Sequence, residues 1–142
     1  MARQENDISI LFNRNIVVVE DDLSTLEYYS ALYKRVGANV ISFQKGKDFI
    51  KYADENSDSI DLIIMDFLIP EVTGIDCVRH LRLNGKHIPV ILITAYYTEK
   101  IKQDAYIAGC NDYLLKPVFK ENLYTISIKY IAKKLYQRSY SV

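Results

Sequence analysis

What most constrains this chain is the alternation of short apolar runs with longer amphipathic segments. The runs are Ile16-Val17-Val18-Val19, Asn39 to Phe43, Leu62-Ile63-Ile64-Met65, Val90-Ile91-Leu92-Ile93 and Asp112 to Leu115. Between and after them lie Ser24 to Val36, Lys45 to Ala53, Ile75 to Leu83, Glu99 to Ala108 and Phe119 to about Tyr136, each with apolar residues at helical spacing. Apolar runs without polar alternation are strands buried on both faces, the signature of a parallel sheet. Parallel neighbours need a crossover connection, and such crossovers are right-handed. The pattern therefore predicts an α/β fold: a doubly wound sheet of five parallel strands flanked by five helices. Local punctuation agrees. Asp22 or Ser24 can cap the first helix, Gly37 and Gly109 can end helices, and Asn84-Gly85 marks a turn.

Composition narrows the function classes. A length of 142 residues suits one domain. Lys plus Arg and Asp plus Glu both number 18, giving zero formal net charge. A general nucleic-acid binder would show a basic excess, so direct contact with nucleic acid is not expected. Two isolated cysteines, Cys77 and Cys110, build neither a disulfide framework nor a metal motif and are read as reduced thiols. No apolar run reaches the roughly 18 residues of a membrane helix, and the opening MARQENDISILFNR lacks a signal-peptide core. A cytoplasmic domain without membrane contact is expected. Residues 1–14 form an N-terminal arm, whose Ile8, Ile10, Leu11 and Phe12 predict that it packs on the body; residues 15–136 form the domain and 137–142 a C-terminal tail.

In an open α/β sheet, sites form beyond the carboxyl ends of the strands. The first strand ends in Glu20-Asp21-Asp22, the third in Asp66, the fourth in Thr94 and the fifth in Lys116, while the second ends in Phe43 and is not expected to contribute a polar group. Clustered carboxylates repel unless a cation sits among them, and an oxygen-only set suits Mg²⁺ or Mn²⁺ rather than zinc. Carboxylates with a metal, a Lys and a Thr hydroxyl make a phosphoryl site. No Ser or Cys beside a His is available as nucleophile, whereas a carboxylate can itself accept a phosphoryl group. Asp66, alone at the end of the central strand, is the candidate.

These residues carry a specific resemblance. VVVEDDLST (17–25), IIMDFLIPEVTG (63–74), VILITA (90–95) and GCNDYLLKP (109–117) resemble the receiver domain of two-component response regulators, over about residues 15–136. The resemblance implies a flavodoxin-like sheet in the order 2-1-3-4-5. It implies Asp66 as phosphoacceptor, Asp21 as a direct ligand of Mg²⁺ and Glu20 as one acting through water, with the Leu68 backbone carbonyl completing the shell. Thr94 would donate to one phosphoryl oxygen and Lys116 would pair with another, with a cis Lys116–Pro117 bond. Pro70 and Gly74 match the loop after the acceptor, and Asp22 is left a capping role. Thr94 and Tyr113 would form the switch, rearranging the face made by the fourth helix, fifth strand and fifth helix. The implied partners are a sensor histidine kinase or phosphotransfer protein upstream, a downstream protein or separate effector domain, and a homodimer through that face.

Leu68 and Tyr96 depart from the commoner family pattern. Both would shield an acyl phosphate from water, so slow autodephosphorylation is expected. The alternative for the Tyr96-Tyr97 pair is exposed aromatics opening a loop. Lys129, Lys133, Lys134 and Arg138 read as the solvated face of the last helix, with cations favoured at its C-terminal end. His80 and His87 read as surface residues without an acidic pattern nearby. Two rival functions make different demands on the same positions. An Asp-nucleophile phosphatase or phosphotransferase typically places an acid two residues after the nucleophile, where this chain has Leu68. A flavodoxin-like cofactor binder needs a phosphate loop after the first strand, where Glu20-Asp21-Asp22 would repel it.

Overall fold

The structure, a computed structural model, describes residues 7–96 and 98–140. Five parallel strands, β1 (Asn15–Val19), β2 (Asn39–Phe43), β3 (Leu62–Asp66), β4 (Val90–Thr94) and β5 (Asp112–Leu115), form one sheet in the order β2-β1-β3-β4-β5. Five helices alternate with them: α1 (Leu23–Arg35), α2 (Gly46–Asn56), α3 (Gly74–Leu83), α4 (Glu99–Ala108) and α5 (Lys120–Tyr140). β3 and β4 are buried along their whole length, as a centre covered on both faces requires.

Strand alternation divides the core in two. Ile16, Val18, Ile64, Ile91 and Ile93 face Leu26, Tyr29 and Tyr33 of α1 and Leu123 and Ile131 of α5. Val17, Val19, Ile63, Met65 and Leu92 face Phe49 of α2, Val78 and Leu81 of α3 and Ala105 of α4. One buried polar pair crosses the first layer: the Tyr33 and Ser127 hydroxyls lie 2.7 Å apart, and Ser127 also donates to the Leu123 carbonyl.

Helix ends follow local chemistry. Asp22 caps α1, accepting from the Thr25 amide at 3.0 Å and its hydroxyl at 2.6 Å. This settles the choice between Asp22 and Ser24. Thr73 and Asp76 form a reciprocal capping box at α3. Gly109 ends α4 at φ +108°, a conformation open to glycine. α5 runs on to Tyr140, four residues past the expected end near Tyr136. Within the expected span, Lys134 reaches the Ile60 carbonyl at 3.2 Å and Asp61 at 3.5 Å. Lys134 is thus pinned across elements rather than lying on a solvated face, and Lys129 lies 3.8 Å from Asp112. In the arm, a 3-10 turn at Ile8–Leu11 buries Leu11 completely in the first layer, while the Phe12 ring lies over Gly37. Residues 1–6 and the last two of the tail lie outside the described residues.

Gly74 fixes the loop that leaves β3. Any Cβ there would run into the backbone carbonyl of Asp66 and the Met65 side chain. The prediction is that Gly74→Ala destabilises the fold by about 1–3 kcal/mol through overpacking, read as a lower urea midpoint at unchanged slope.

Candidate phosphoryl-transfer site

The sheet delivers its polar residues at the last rung of each ladder. The Glu20 amide donates to the Phe43 carbonyl at 3.0 Å, extending the β1–β2 ladder by one residue. Asp66 pairs in register with Ile93, and the next amide, Phe67, donates to the Ile93 carbonyl at 2.8 Å. Thr94 pairs with Leu115, and the Lys116 amide donates back to the Thr94 carbonyl at 2.9 Å. Backbone hydrogen bonds therefore fix each residue before its side chain does anything. Together with Asp21, Asp22, Leu68, Ala95 and Tyr96 they line a cleft of about 240 Å³.

Electrostatics dominate this cleft. Glu20 and Asp66 are 1% and 4% exposed, and a buried carboxylate must be paired. The Lys116 ammonium lies 3.2 Å from Glu20 Oε2 and 3.2 Å from Asp66 Oδ2. One cation thus bridges two buried acids, leaving one formal negative charge among the three. Burial, then the hydrogen bond and charge of Asp66, raise the Glu20 pKa to about 7 against the opposing pull of Lys116. Burial works to lower the Lys116 pKa, but the two carboxylates outweigh it and the ammonium is held more firmly. Asp21 is exposed at the mouth; ligand oxygens of Glu20, Asp21 and Asp66 lie within 4.8 Å of one another. Three convergent carboxylates, one of them driven toward neutrality, fit a hard divalent cation such as Mg²⁺.

The Thr94 hydroxyl is engaged locally. It accepts from the Tyr96 amide at 2.9 Å and donates to the Tyr96 carbonyl at 3.0 Å. Tyr113 is half-buried, packed on the second core layer in register with Leu92. Leu68 and Tyr96 line the cleft while remaining 50% and 57% exposed; Tyr97 lies outside the described residues. The Lys116–Pro117 peptide is cis.

Two features escaped the sequence. Gln44, one residue past β2, donates to the Asp21 carbonyl at 3.2 Å and so steadies the acidic turn. Its signal was present, a polar residue just beyond an apolar strand end. His80 is not a bare surface residue without an acid: it is half-buried and lies 2.8 Å from Asp54 of α2. Those residues are 26 apart in sequence, so only the α2–α3 packing brings them together. His87 is exposed.

Comparison with known proteins shows the family of the chain. The family model "Response regulator receiver domain" matches residues 16–127. The chain belongs to that family. It is therefore a signalling domain of two-component systems whose state depends on phosphorylation. Among similar proteins, a probable transcriptional regulatory protein SilR of Salmonella typhimurium is 37% identical over 102 residues, covering 72% of this chain and 44% of that protein. The uncharacterized transcriptional regulatory protein YrkP of Bacillus subtilis is 31% identical over 109 residues, covering 77% and 46%. The chain thus spans about half the length of these curated relatives. A solved structure, the receiver domain of sensor histidine kinase PA1611 from Pseudomonas aeruginosa PAO1, aligns with a TM-score of 0.77 at 28% identity, covering 84% of this chain and 98% of that one. That structure has a magnesium ion coordinated in the active site cleft. Nothing favours the phosphatase alternative, and the position where such an enzyme would carry its acid is Leu68. Among the described residues, no helix is long and apolar enough to cross a membrane.

The Glu20 shift makes a prediction about the metal-free receiver. Its folded pKa, about 7, exceeds its ordinary value of 4.5, so the folded state holds this proton more tightly than the unfolded state does. Ionising Glu20 therefore removes stability progressively as pH rises from 4.5 through 7. Glu20→Gln should abolish that loss. Urea denaturation at mildly acidic and mildly alkaline pH should show the variant gaining on wild type as pH rises, by roughly 3 kcal/mol at most.

Proposed function

We propose that this receiver takes a phosphoryl group onto Asp66 from the phosphohistidine of a sensor kinase or phosphotransfer protein. The observation that carries the reading is the Lys116 ammonium, held 3.2 Å from both Asp66 and Glu20 at the end of the sheet. In the transfer, an Asp66 carboxylate oxygen forms a bond to phosphorus. The bond from phosphorus to the donor imidazole nitrogen breaks, and that nitrogen keeps the electron pair. Lys116 then exchanges part of its contact with Asp66 for a phosphoryl oxygen, which supplies the charge-assisted pairing that phosphoryl groups seek. Glu20, Asp21, Asp66 and the Leu68 carbonyl would hold Mg²⁺ (or Mn²⁺), whose contribution is to neutralise phosphoryl oxygens. Domain and donor are cytoplasmic in this reading.

The output follows from charge. An acyl phosphate adds roughly −1.5 to −2 charges and strong acceptors to the cleft. Thr94 carries one hydroxyl hydrogen, now given to the Tyr96 carbonyl. Donating it to a phosphoryl oxygen releases that carbonyl and loosens the β4–α4 connection. Tyr113, on the neighbouring strand, moves into the space behind Thr94. The face of α4, β5 and α5 presents exposed Tyr106, Ile107, Leu115 and Phe119, so a rearrangement there alters an apolar surface. That surface is proposed as the contact for a downstream protein, an effector domain or a second receiver. The full-length relatives are named as transcriptional regulators, and control of transcription through a linked or separate effector is the matching proposal here.

Two outcomes are expected. Incubation with a small-molecule phosphodonor and Mg²⁺ should add one phosphoryl mass to the wild type by intact mass spectrometry. Omitting Mg²⁺ or substituting Asp66→Asn should leave the mass unchanged; a gain in Asp66→Asn would reassign the acceptor. Separately, Leu68 and Tyr96 border the cleft mouth and obstruct an attacking water, so the acyl phosphate should outlast minutes. Leu68→Asn should shorten its lifetime severalfold; an equal lifetime in variant and wild type would remove Leu68 from that role.

A further inference from the structure

A second groove among the described residues is larger than the phosphoryl cleft. It has a volume of about 380 Å³, lies between α1 and the edge strand β2, and is lined by Leu23, Leu26, Glu27, Ser30, Ala31 and Lys34 with Ser42. β2 has a neighbour on one side only, so α1 and β2 together form an open margin of the molecule. The small residues Ser30 and Ala31 sit midway along the groove, and the Ser30 hydroxyl lies 3.0 Å from that of Ser42, which closes the floor.

Charges of opposite sign flank this floor. Glu27 lies one turn before it and Lys34 one turn after it, both exposed. Among the described residues neither is in an ion pair, and they cannot pair with each other: seven residues of helix put them about 10 Å apart along the axis. A helix approaching in the opposite direction reverses the order of charges. If that helix is a second α1, Ser30 of one copy faces Ala31 of the other, and Glu27 of each faces Lys34 of its counterpart. The midpoint of the two charges is therefore also the midpoint of the two small residues. Such a patch is self-complementary, which is what a two-fold interface requires.

We propose that this face of α1 joins two copies of the chain in an antiparallel, two-fold pair. Ser30 and Ala31 let the helix backbones approach closely, and two reciprocal Glu27–Lys34 ion pairs set the register. The stems of those side chains cover the apolar walls beside Leu23 and Leu26. Zero formal net charge leaves no overall repulsion between copies. A thirteen-residue helix offers only a small area, so the pair belongs to the weak, reversible class of association. It uses no residue of the phosphoryl cleft and forms without phosphorylation, which separates it from any pairing through α4, β5 and α5.

Sedimentation of the unphosphorylated protein over a dilution series from millimolar to micromolar, at low salt, tests this. Wild type should pass from dimer to monomer across the series and weaken further as salt is added. Glu27→Lys and Lys34→Glu, each alone, place like charges opposite one another and should raise the dissociation constant tenfold or more. The combined Glu27→Lys/Lys34→Glu protein restores reciprocal pairing and should recover wild-type association. Circular dichroism should show all three variants folded, since both positions are exposed. A wild type that stays monomeric at millimolar concentration overturns the proposal, as does binding of a different protein at α1 without self-association. A dimer indifferent to both single changes, or a double variant that fails to recover, also overturns it.

Discussion

One ammonium between two buried carboxylates organises the working end of this molecule. Lys116 cannot reach Glu20 and Asp66 at once unless β5, β3 and β1 end at the same height, because it extends from the far side of β4. The strand lengths, the registers and the final backbone rungs at Glu20, Phe67 and Lys116 all serve that alignment. A residual negative charge remains among the three groups. The cluster therefore has an unmet demand for positive charge, which a divalent cation answers, and a lysine already placed to follow charge as it moves from carboxylate to phosphoryl.

The flanking loops keep the alignment without filling the cleft. Gly74 allows the β3–α3 loop to fold back against the Asp66 carbonyl, where any larger residue collides. Asp22, at the edge of the cleft, spends its carboxylate on capping α1, so the third acid of the run stabilises a helix start. Gln44 ties the β2 end to the Asp21 carbonyl. Tyr96 holds the Thr94 hydroxyl through its own backbone, so the group that must respond to phosphorylation begins in a satisfied state.

Much of this was legible in the sequence because it rests on local chemistry. Five apolar runs specified a parallel sheet, and the polar residues ending four of them marked one edge. Asp22 as a cap and Gly109 as a stop follow from short-range rules. What could not be read depends on packing between distant segments. The His80–Asp54 contact needs α2 and α3 side by side, and the Lys134 contacts need the start of β3 beneath α5. The last turn of α5, residues 137–140 (Gln-Arg-Ser-Tyr), carries no apolar periodicity from which a helix could be read. Thr94 was expected to face a phosphoryl group, and its resting partnership with the Tyr96 backbone leaves no trace in residue type.

α5 ties distant parts of the molecule together. Toward its C-terminal end Lys134 fastens the helix to the turn before β3, and Leu11 of the arm is wedged into the same layer. Nearer its start Leu123 is wholly buried in that layer, the Ser127 hydroxyl meets that of Tyr33, and the Tyr130 hydroxyl donates to Asp112 at the start of β5. A helix held along its length acts as a strut, bracing the strand that carries Lys116 against the arm that precedes β1.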